Sequence, residues 1–255
     1  MTIDELFVKL GTFSNPMSLH PKWLIRGQPD ASWSLDPSLA RILNKKKLNR
    51  PQAIQVEQEA INKFLITART ILPLEYTATL LPSNGTIDFL GWFILMQHFS
   101  APTRTLDWSV SPWIALYFAC ADHDHEDGAV WVVNYEKAVA KAEDLLEGKD
   151  FMQLIPDQNA VDIVHFVMAF NSNERIEAQQ GRFSIASNPL MDHADFFSDS
   201  DILEKIVIPK GLKSDSMLRL NSMNINAKTL FPGADGLGRS IREFCKHWDV
   251  NSQIK

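Results

Sequence analysis

The sequence predicts an α+β fold in which helices flank a mixed, mainly antiparallel sheet. Both a continuous and a split sheet fit this prediction. Two observations lead to this prediction. Short runs rich in β-branched and aromatic residues lie between longer patterns with the 3.6-residue period of helices. The two kinds of segment also lack the regular alternation that a doubly wound parallel sheet requires.

The length and composition favour one domain. The chain has 255 residues, of which 45% are hydrophobic, enough to build a single core. No repeat, low-complexity tract or long linker marks a boundary. We therefore predict a single domain over residues 1–255, with a helical subregion at about 36–81.

The first half of the chain contains one predicted strand and three predicted helices. The strand covers residues 23–28, and a helix follows in which Asp36 is the cap and Pro37 lies in the first turn. Apolar residues at helical spacing predict a second helix from Pro51 to about Leu72. The same spacing predicts a third over residues 86–99.

The second half contains most of the predicted strands. Ser111 and Pro112 have the residue types of a helix start, so a buried helix is expected after them. A short helix is expected from Asn173, closed by Gly181 in a left-handed conformation, and the C-terminal third is expected to be helical. The predicted strands are residues 129–134, 161–170, 182–186 and 203–208.

The charge and the N-terminal residues exclude several classes of protein. The net charge is −6, which gives no overall attraction to nucleic acid or to anionic membranes. No stretch approaches the roughly 20 apolar residues of a membrane span, and the N-terminus lacks the pattern of a secretory signal. We therefore expect a cytoplasmic protein without a membrane partner. The basic run at residues 41–50 could contact phosphate, although a solvated helix end is the favoured interpretation.

Polar residues are concentrated between Gln97 and Ala119, in a loop bounded by two apolar helices. Arg104 and Asp107 are expected to pair, because a charge near a core is costly unless it is matched. A purely structural role also fits these two residues, in which their hydrogen bonds stabilise the loop. His98 can act as an acid or base, or only as a packing residue. The histidine pair His123 and His125 lacks distant ligand partners, so no metal site is predicted.

Two further groups of residues can bind a ligand. Arg26 ends an apolar strand and precedes Gly27, an arrangement that can present a planar fork of donors to phosphate or carboxylate. A buried ion pair explains Arg26 equally well. Gln179 and Gln180 lie at a helix end, where an amide can orient a hydroxyl or amide of a ligand.

The chain resembles the FRG domain family, named after a Phe-Arg-Gly motif that here reads Ile25-Arg26-Gly27. Five motifs in the same order carry the resemblance: residues 24–28 with 33–41, then 97–109, 115–119, 175–183 and 230–237. The family is found in bacteria and phages, often beside defence or toxin genes. The resemblance therefore implies a toxin or defence effector, with an antitoxin or other regulatory protein as a partner.

A weaker resemblance connects the chain to the ADP-ribosyltransferase fold, a split sheet that holds NAD in a central cleft. The Arg26-Gly27 strand and the serine-rich strand at Ser109, followed by an apolar helix, fit the order of that fold. By this likeness Arg26 contacts the phosphate or ribose of NAD, and Ser109 supports the cleft. The predicted NAD-binding residues are Arg26, Gly27, Gln28, His98, Thr103, Arg104 and Ser109.

The third element of that resemblance is a catalytic glutamate, and its expected position holds Gln180. Glutamine cannot ionise, so it cannot replace a carboxylate as base or charge stabiliser. Either Glu177 or Glu174 takes the role, or the reaction proceeds through positioning alone, or the domain binds without reacting. The predicted catalytic residues are Arg26, Ser109, Glu177 and Gln180.

Three functions remain open on the sequence. The first is an NAD-dependent transferase that moves ADP-ribose to a protein or nucleic-acid acceptor. The second is a non-catalytic module that senses a nucleotide or binds a partner. The third, a nuclease using His98 and Arg104, is disfavoured by the acidic charge and the lack of a carboxylate cluster for metal.

Overall fold

Six strands form one sheet in the computed structural model, which describes residues 1–15, 21–73, 89–167, 174–199 and 201–247. The strands are β1 (Trp23–Gln28), β2 (Thr105–Ser109), β3 (Gly128–Asn134), β4 (Val164–Val167), β5 (Gly181–Ala186) and β6 (Leu203–Ile208). Every pairing among these strands is antiparallel, and the strand order is β4-β5-β2-β1-β3-β6. The α+β prediction is confirmed. The parallel pairing that a mixed sheet would contain is not found in these parts of the chain.

Helices cover both faces of this sheet. Those before β3 are α1 (Ile3–Gly11), α2 (Ser38–Lys45), α3 (Arg50–Ile71), α4 (Phe89–His98) and α5 (Pro112–Cys120). Those after β3 are α6 (Tyr135–Leu146), α7 (Phe151–Leu154), α8 (Glu174–Ala178), α9 (His193–Phe196), α10 (Lys213–Ser222), α11 (Ala227–Leu230) and α12 (Ala234–His247). Within the described residues, no helix combines the length and the apolar character needed to cross a membrane.

The alternation of side chains along the strands divides the core into two layers. Leu24 and Trp131 belong to a buried cluster on one face, to which α6 and α9 contribute. Ile25 and Val130 belong to a second cluster on the other face, with α1, α5 and α10. The sheet is therefore covered by helices on both sides.

The pairing of β1 is strongly asymmetric. β1 pairs with β3 at six consecutive positions, but with β2 only at Ile25 and Ser109. On its other edge, β2 pairs with β5 at five positions. The ladder thus opens beyond a single pair in the middle of the sheet, which leaves room between β1 and β2.

The helix α5 lies directly against β1 at Gly27. A Cβ atom on Gly27 would be 1.8 Å from the carbonyl oxygen of Ala115 and 2.7 Å from the amide nitrogen of Ala119. Real Cβ atoms do not approach backbone this closely, so glycine is required for the contact. The Ser111 hydroxyl accepts a hydrogen bond from the Ile114 amide at 3.4 Å, which confirms the predicted start of this helix.

Two predicted details near helix ends are wrong. Pro37, rather than Asp36, is the N-cap of α2, and no side chain caps that helix. The residue with positive φ before β5 is Gln180 (φ 49°), not Gly181. At Gly181 the constraint is instead space, since a Cβ there would be 3.2 Å from Cγ2 of Ile176.

The remaining boundaries agree with prediction to within a few residues, except at β4 and at β2, which forms within the segment predicted as a loop. The strand β4 covers only residues 164–167, because the described chain from Val161 to Ile163 is not in a strand. The predicted end of this strand at 168–170 and the predicted helix start at 86–88 lie outside the described residues. So does the end of the helical subregion, at 74–81.

Candidate functional site

A cavity of about 190 Å³ lies where β1 and β2 separate. Residues of β1, β2 and β5 line it, together with residues of α4, α5 and α8. The open ladder explains its position, because backbone groups of β1 and β2 that would otherwise pair are held apart. Its polar residues are Arg26, Gln97, His98, Asp107, Ser109, Arg175 and Gln179.

Arg26 projects from β1 into this gap. One terminal nitrogen, Nη1, donates a hydrogen bond to the backbone carbonyl of Asp107 at 2.7 Å, which bridges the separated strands. The buried Nε has no hydrogen-bond partner, and no carboxylate lies within ion-pair distance in the described part of the chain. Burial lowers the pKa of Arg26, and the negative charge of Asp107 opposes this shift. The guanidinium stays charged and retains donors for an anion.

Arg175 supplies a second positive charge from α8. Its guanidinium carbon lies 5.0 Å from the centre of the Phe231 ring. It forms no hydrogen bond or ion pair with any residue that the structure describes. Burial lowers the pKa of Arg175, and the charge of Asp107 acts in the opposite direction. Two guanidinium groups therefore line one cavity with donors uncommitted to carboxylates.

Asp107 is the only carboxylate lining the cavity among the described residues. Its Oδ2 accepts a hydrogen bond from Nε2 of Gln97 at 2.6 Å. The carbonyl oxygen of that amide accepts hydrogen bonds from the Thr103 hydroxyl at 3.1 Å and from the Thr105 hydroxyl. These hydroxyls fix which end of the Gln97 amide faces Asp107.

Ser109 and His98 line the cavity with different properties. The Ser109 hydroxyl donates to the carbonyl of Gln179 at 2.9 Å and accepts from the Ser111 amide at 3.1 Å, so its proton is committed to the backbone. Burial lowers the pKa of His98, the charge of Arg175 lowers it further, and Asp235 opposes both. The imidazole is therefore neutral at pH 7.

Residues 21–128 match the family model of the FRG domain. This segment of the chain is similar to the FRG domain. The match covers 108 of the 255 residues and includes β1, α4, β2 and α5, which line one side of the cavity. The predicted FRG resemblance is confirmed over this range. Comparison with curated proteins and with solved structures gave no match.

Five residues predicted for the site do not line the cavity, of which Arg104 is described in the next paragraph. The Gln28 amide accepts from Nε1 of Trp131 at 2.8 Å and donates to the Ser34 carbonyl at 2.9 Å. Thr103 is buried in the hydroxyl chain that ends on Gln97. Glu177 and Gln180 are exposed. Gly27, by contrast, lines the cavity through its backbone.

Arg104 lies in the core rather than in the cavity, and its predicted pairing with Asp107 is wrong. Its Nε donates to Glu57 at 2.8 Å, and Nη2 contacts the second oxygen of the same carboxylate. Nη1 donates to the Ser187 and Ala186 carbonyls at 2.7 and 3.1 Å. The Arg104 side chain is 0% exposed, so its charge needs all of these acceptors. They lie on α3, at the end of β5 and on the residue that follows it.

Sequence reasoning found the cavity residues Arg26, Gly27, His98 and Ser109 but missed the roles of Arg175 and Asp107. Arg175 entered only as the first residue of the motif at 175–183. Asp107 was expected to pair with Arg104. Residue type at the strand end pointed to Arg26. No local pattern shows that α8 brings Arg175 to the same cavity.

Proposed function

We propose that the cleft binds NAD through its phosphates and that the protein transfers ADP-ribose from NAD to a macromolecular acceptor. One observation carries the proposal: Arg26 and Arg175 line the same cavity, and neither forms an ion pair within the described residues. A pyrophosphate provides two adjacent anionic groups, and guanidinium forks match phosphate oxygens in a bidentate manner.

The apolar lining supports a planar ring beside the anion. Ile94, Phe118 and Phe183 line the cavity together with the neutral imidazole of His98. The volume of about 190 Å³ is smaller than the 300–1,000 Å³ typical of pockets that enclose a drug-sized ligand. The cavity therefore fits one end of a dinucleotide, with the rest extending outward. Bound NAD would supply an ADP-ribosyl group activated by its cationic nicotinamide.

The positions of the predicted catalytic residues favour a second candidate function, a module that binds without catalysis. Glu177 and Gln180 do not line the cavity, as a catalytic pair would have to. A non-catalytic module that senses a nucleotide or binds a partner needs only the arginines and the apolar lining. Binding and turnover must therefore be measured separately.

The biological setting follows from the FRG resemblance and is part of the proposal. The acceptor is a protein or a nucleic acid, and the setting is a cytoplasmic bacterial or phage toxin or defence effector. An antitoxin or other regulatory protein would control such an activity.

The test is NAD affinity by calorimetry, with nicotinamide release followed in parallel. Arg26→Ala and Arg175→Ala should each weaken NAD binding tenfold or more, because a hydrogen bond to a charged group contributes about 1.5–3 kcal/mol. Arg26→Lys keeps the charge without the planar fork and should also bind more weakly.

The matched control is Arg69→Ala, since Arg69 is exposed on α3 and does not line the cavity. Normal NAD affinity in folded Arg26→Ala and Arg175→Ala proteins would refute the proposed binding mode. Binding without nicotinamide release under any condition would favour the sensing module.

A further inference from the structure

Asp107 occupies a position in the cavity that the sequence did not anticipate. Asp107 lies on β2, where it pairs with Phe183 of β5 on one edge. On the other edge it faces the gap between β2 and β1. Among the described residues it is the only carboxylate lining the cavity, and its side chain is exposed rather than buried in an ion pair. Both arginines of the cleft lie in its electrostatic range.

The surroundings hold this carboxylate in one orientation. Oδ2 accepts from Gln97 at 2.6 Å, and the Gln97 amide cannot turn without losing the Thr103 and Thr105 hydroxyls. The backbone of Asp107 is held as well, since its carbonyl accepts from Arg26 at 2.7 Å. The other oxygen, Oδ1, has no hydrogen-bond partner in the part of the chain that the structure describes. One carboxylate oxygen is thus available to a ligand.

We infer that Asp107 is the catalytic carboxylate of this cleft and that Gln97 is its positioning residue. The inference rests on the proposed function and replaces Glu177 and Gln180 in it. Glycosyl transfer proceeds through a transition state with positive charge on the ribose, which a nearby carboxylate stabilises. Asp107 is the described residue that brings such a charge to the cavity.

The transfer balances with this one group. The bond between ribose C1′ and the nicotinamide nitrogen breaks, and its electron pair stays on that nitrogen. The acceptor oxygen or nitrogen donates a pair to C1′, and its proton passes to Asp107 and then to water. No oxidant, reductant or metal is required. The two arginines hold the phosphates and do not take part in the proton transfer.

The experiment compares Asp107→Asn with wild type in NAD affinity and in nicotinamide release. Asparagine keeps the size and the contact with Gln97 but carries no charge. We expect nicotinamide release to fall at least 100-fold while the Kd for NAD changes less than threefold. Gln97→Ala should lower kcat about tenfold, again with little change in Kd, because it loosens Asp107 without removing its charge.

Several controls separate this inference from the proposed function. Asp144→Asn removes an exposed carboxylate from α6 and should behave as wild type, and thermal melting must show that each variant is folded. Wild-type turnover in Asp107→Asn, with loss in Glu177→Gln, would overturn the inference and leave NAD transfer intact. Binding by wild type without release would overturn it in favour of the sensing module. Failure of wild type to bind NAD would refute the proposed function, and the inference with it.

Discussion

His193 terminates a buried polar chain behind the cavity. Nε1 of Trp108 donates to the Ser184 hydroxyl at 2.7 Å, and a hydrogen bond of 2.9 Å joins that hydroxyl to Nδ1 of His193. His193 is 0% exposed, and burial, reinforced by the charge of Arg26, lowers its pKa to about 3.

This buried histidine predicts a loss of stability in acid. Between about pH 6.5 and pH 3 the unfolded chain binds a proton at His193 that the folded protein does not, so stability falls as the pH falls through this range. The slope from one such group approaches about 1.4 kcal/mol per pH unit. Urea unfolding at pH 7, 6 and 5 should show a steeper decline for wild type than for His193→Gln.

The effect of His193 is the difference in pH dependence of stability between wild type and His193→Gln. Burial also lowers the pKa of His165 and of His98, but these groups are present in both and cancel. Parallel curves for wild type and His193→Gln would show that His193 is not neutral in the fold.

At the level of elements, the packing of α5 on β1 determines where Arg26 lies. Gly27 permits backbone contact with Ala115, and Arg26 is its immediate neighbour on the strand. A displaced strand would also separate Arg26 from the Asp107 carbonyl, so stability and ligand binding depend on the same glycine.

Gly27→Ala should therefore destabilise the protein by at least about 2 kcal/mol, because an added methyl in a closed contact forces the backbone to move. Gly211→Ala is the matched control: a Cβ at Gly211 meets nothing within 4 Å and should change stability by less than about 0.5 kcal/mol. Thermal or urea unfolding measures both. Equal stability of the two variants would contradict the close approach of α5.

At the level of the whole molecule, the FRG match and the folded sheet have different extents. The match ends at residue 128, but β3, which pairs with β1 at six positions, covers Gly128–Asn134. The partner of β2, which is β5, lies further along the chain. Arg175 lies beyond the match as well, so the match contains only one of the two arginines that line the cavity.

A fragment of residues 1–128 should consequently not fold by itself. It keeps β1 and β2, which share only the Ile25–Ser109 pair, and loses the strands on both sides of them. We expect no cooperative transition in urea or on heating, against a single cooperative transition for the full chain. A cooperative transition in the fragment would show that the matched segment is an independent folding unit.

The sequence by itself predicted most of the strands, several of the helices and the resemblance to the FRG family. Helical periodicity located α3 and the described part of α4, the Ser111 cap located α5, and β-branched runs located β1, β3 and β6. These signals are local, because propensity, capping and amphipathic spacing act over a few residues. The FRG motif around Arg26 was identified in the same way.

Only the tertiary structure decided which charges meet. Arg104 pairs with Glu57, 47 positions away, and Arg26 contacts the Asp107 backbone, 81 positions away. The short spacing between Arg104 and Asp107 favoured a local pair. Successive side chains along a strand point to opposite faces of the sheet, however, so two residues three positions apart face opposite sides. Arg104, just before β2, finds its acceptors in the core, whereas Asp107 faces the cavity. The proposed site is thus a product of strand pairing and helix packing, which no local pattern encodes.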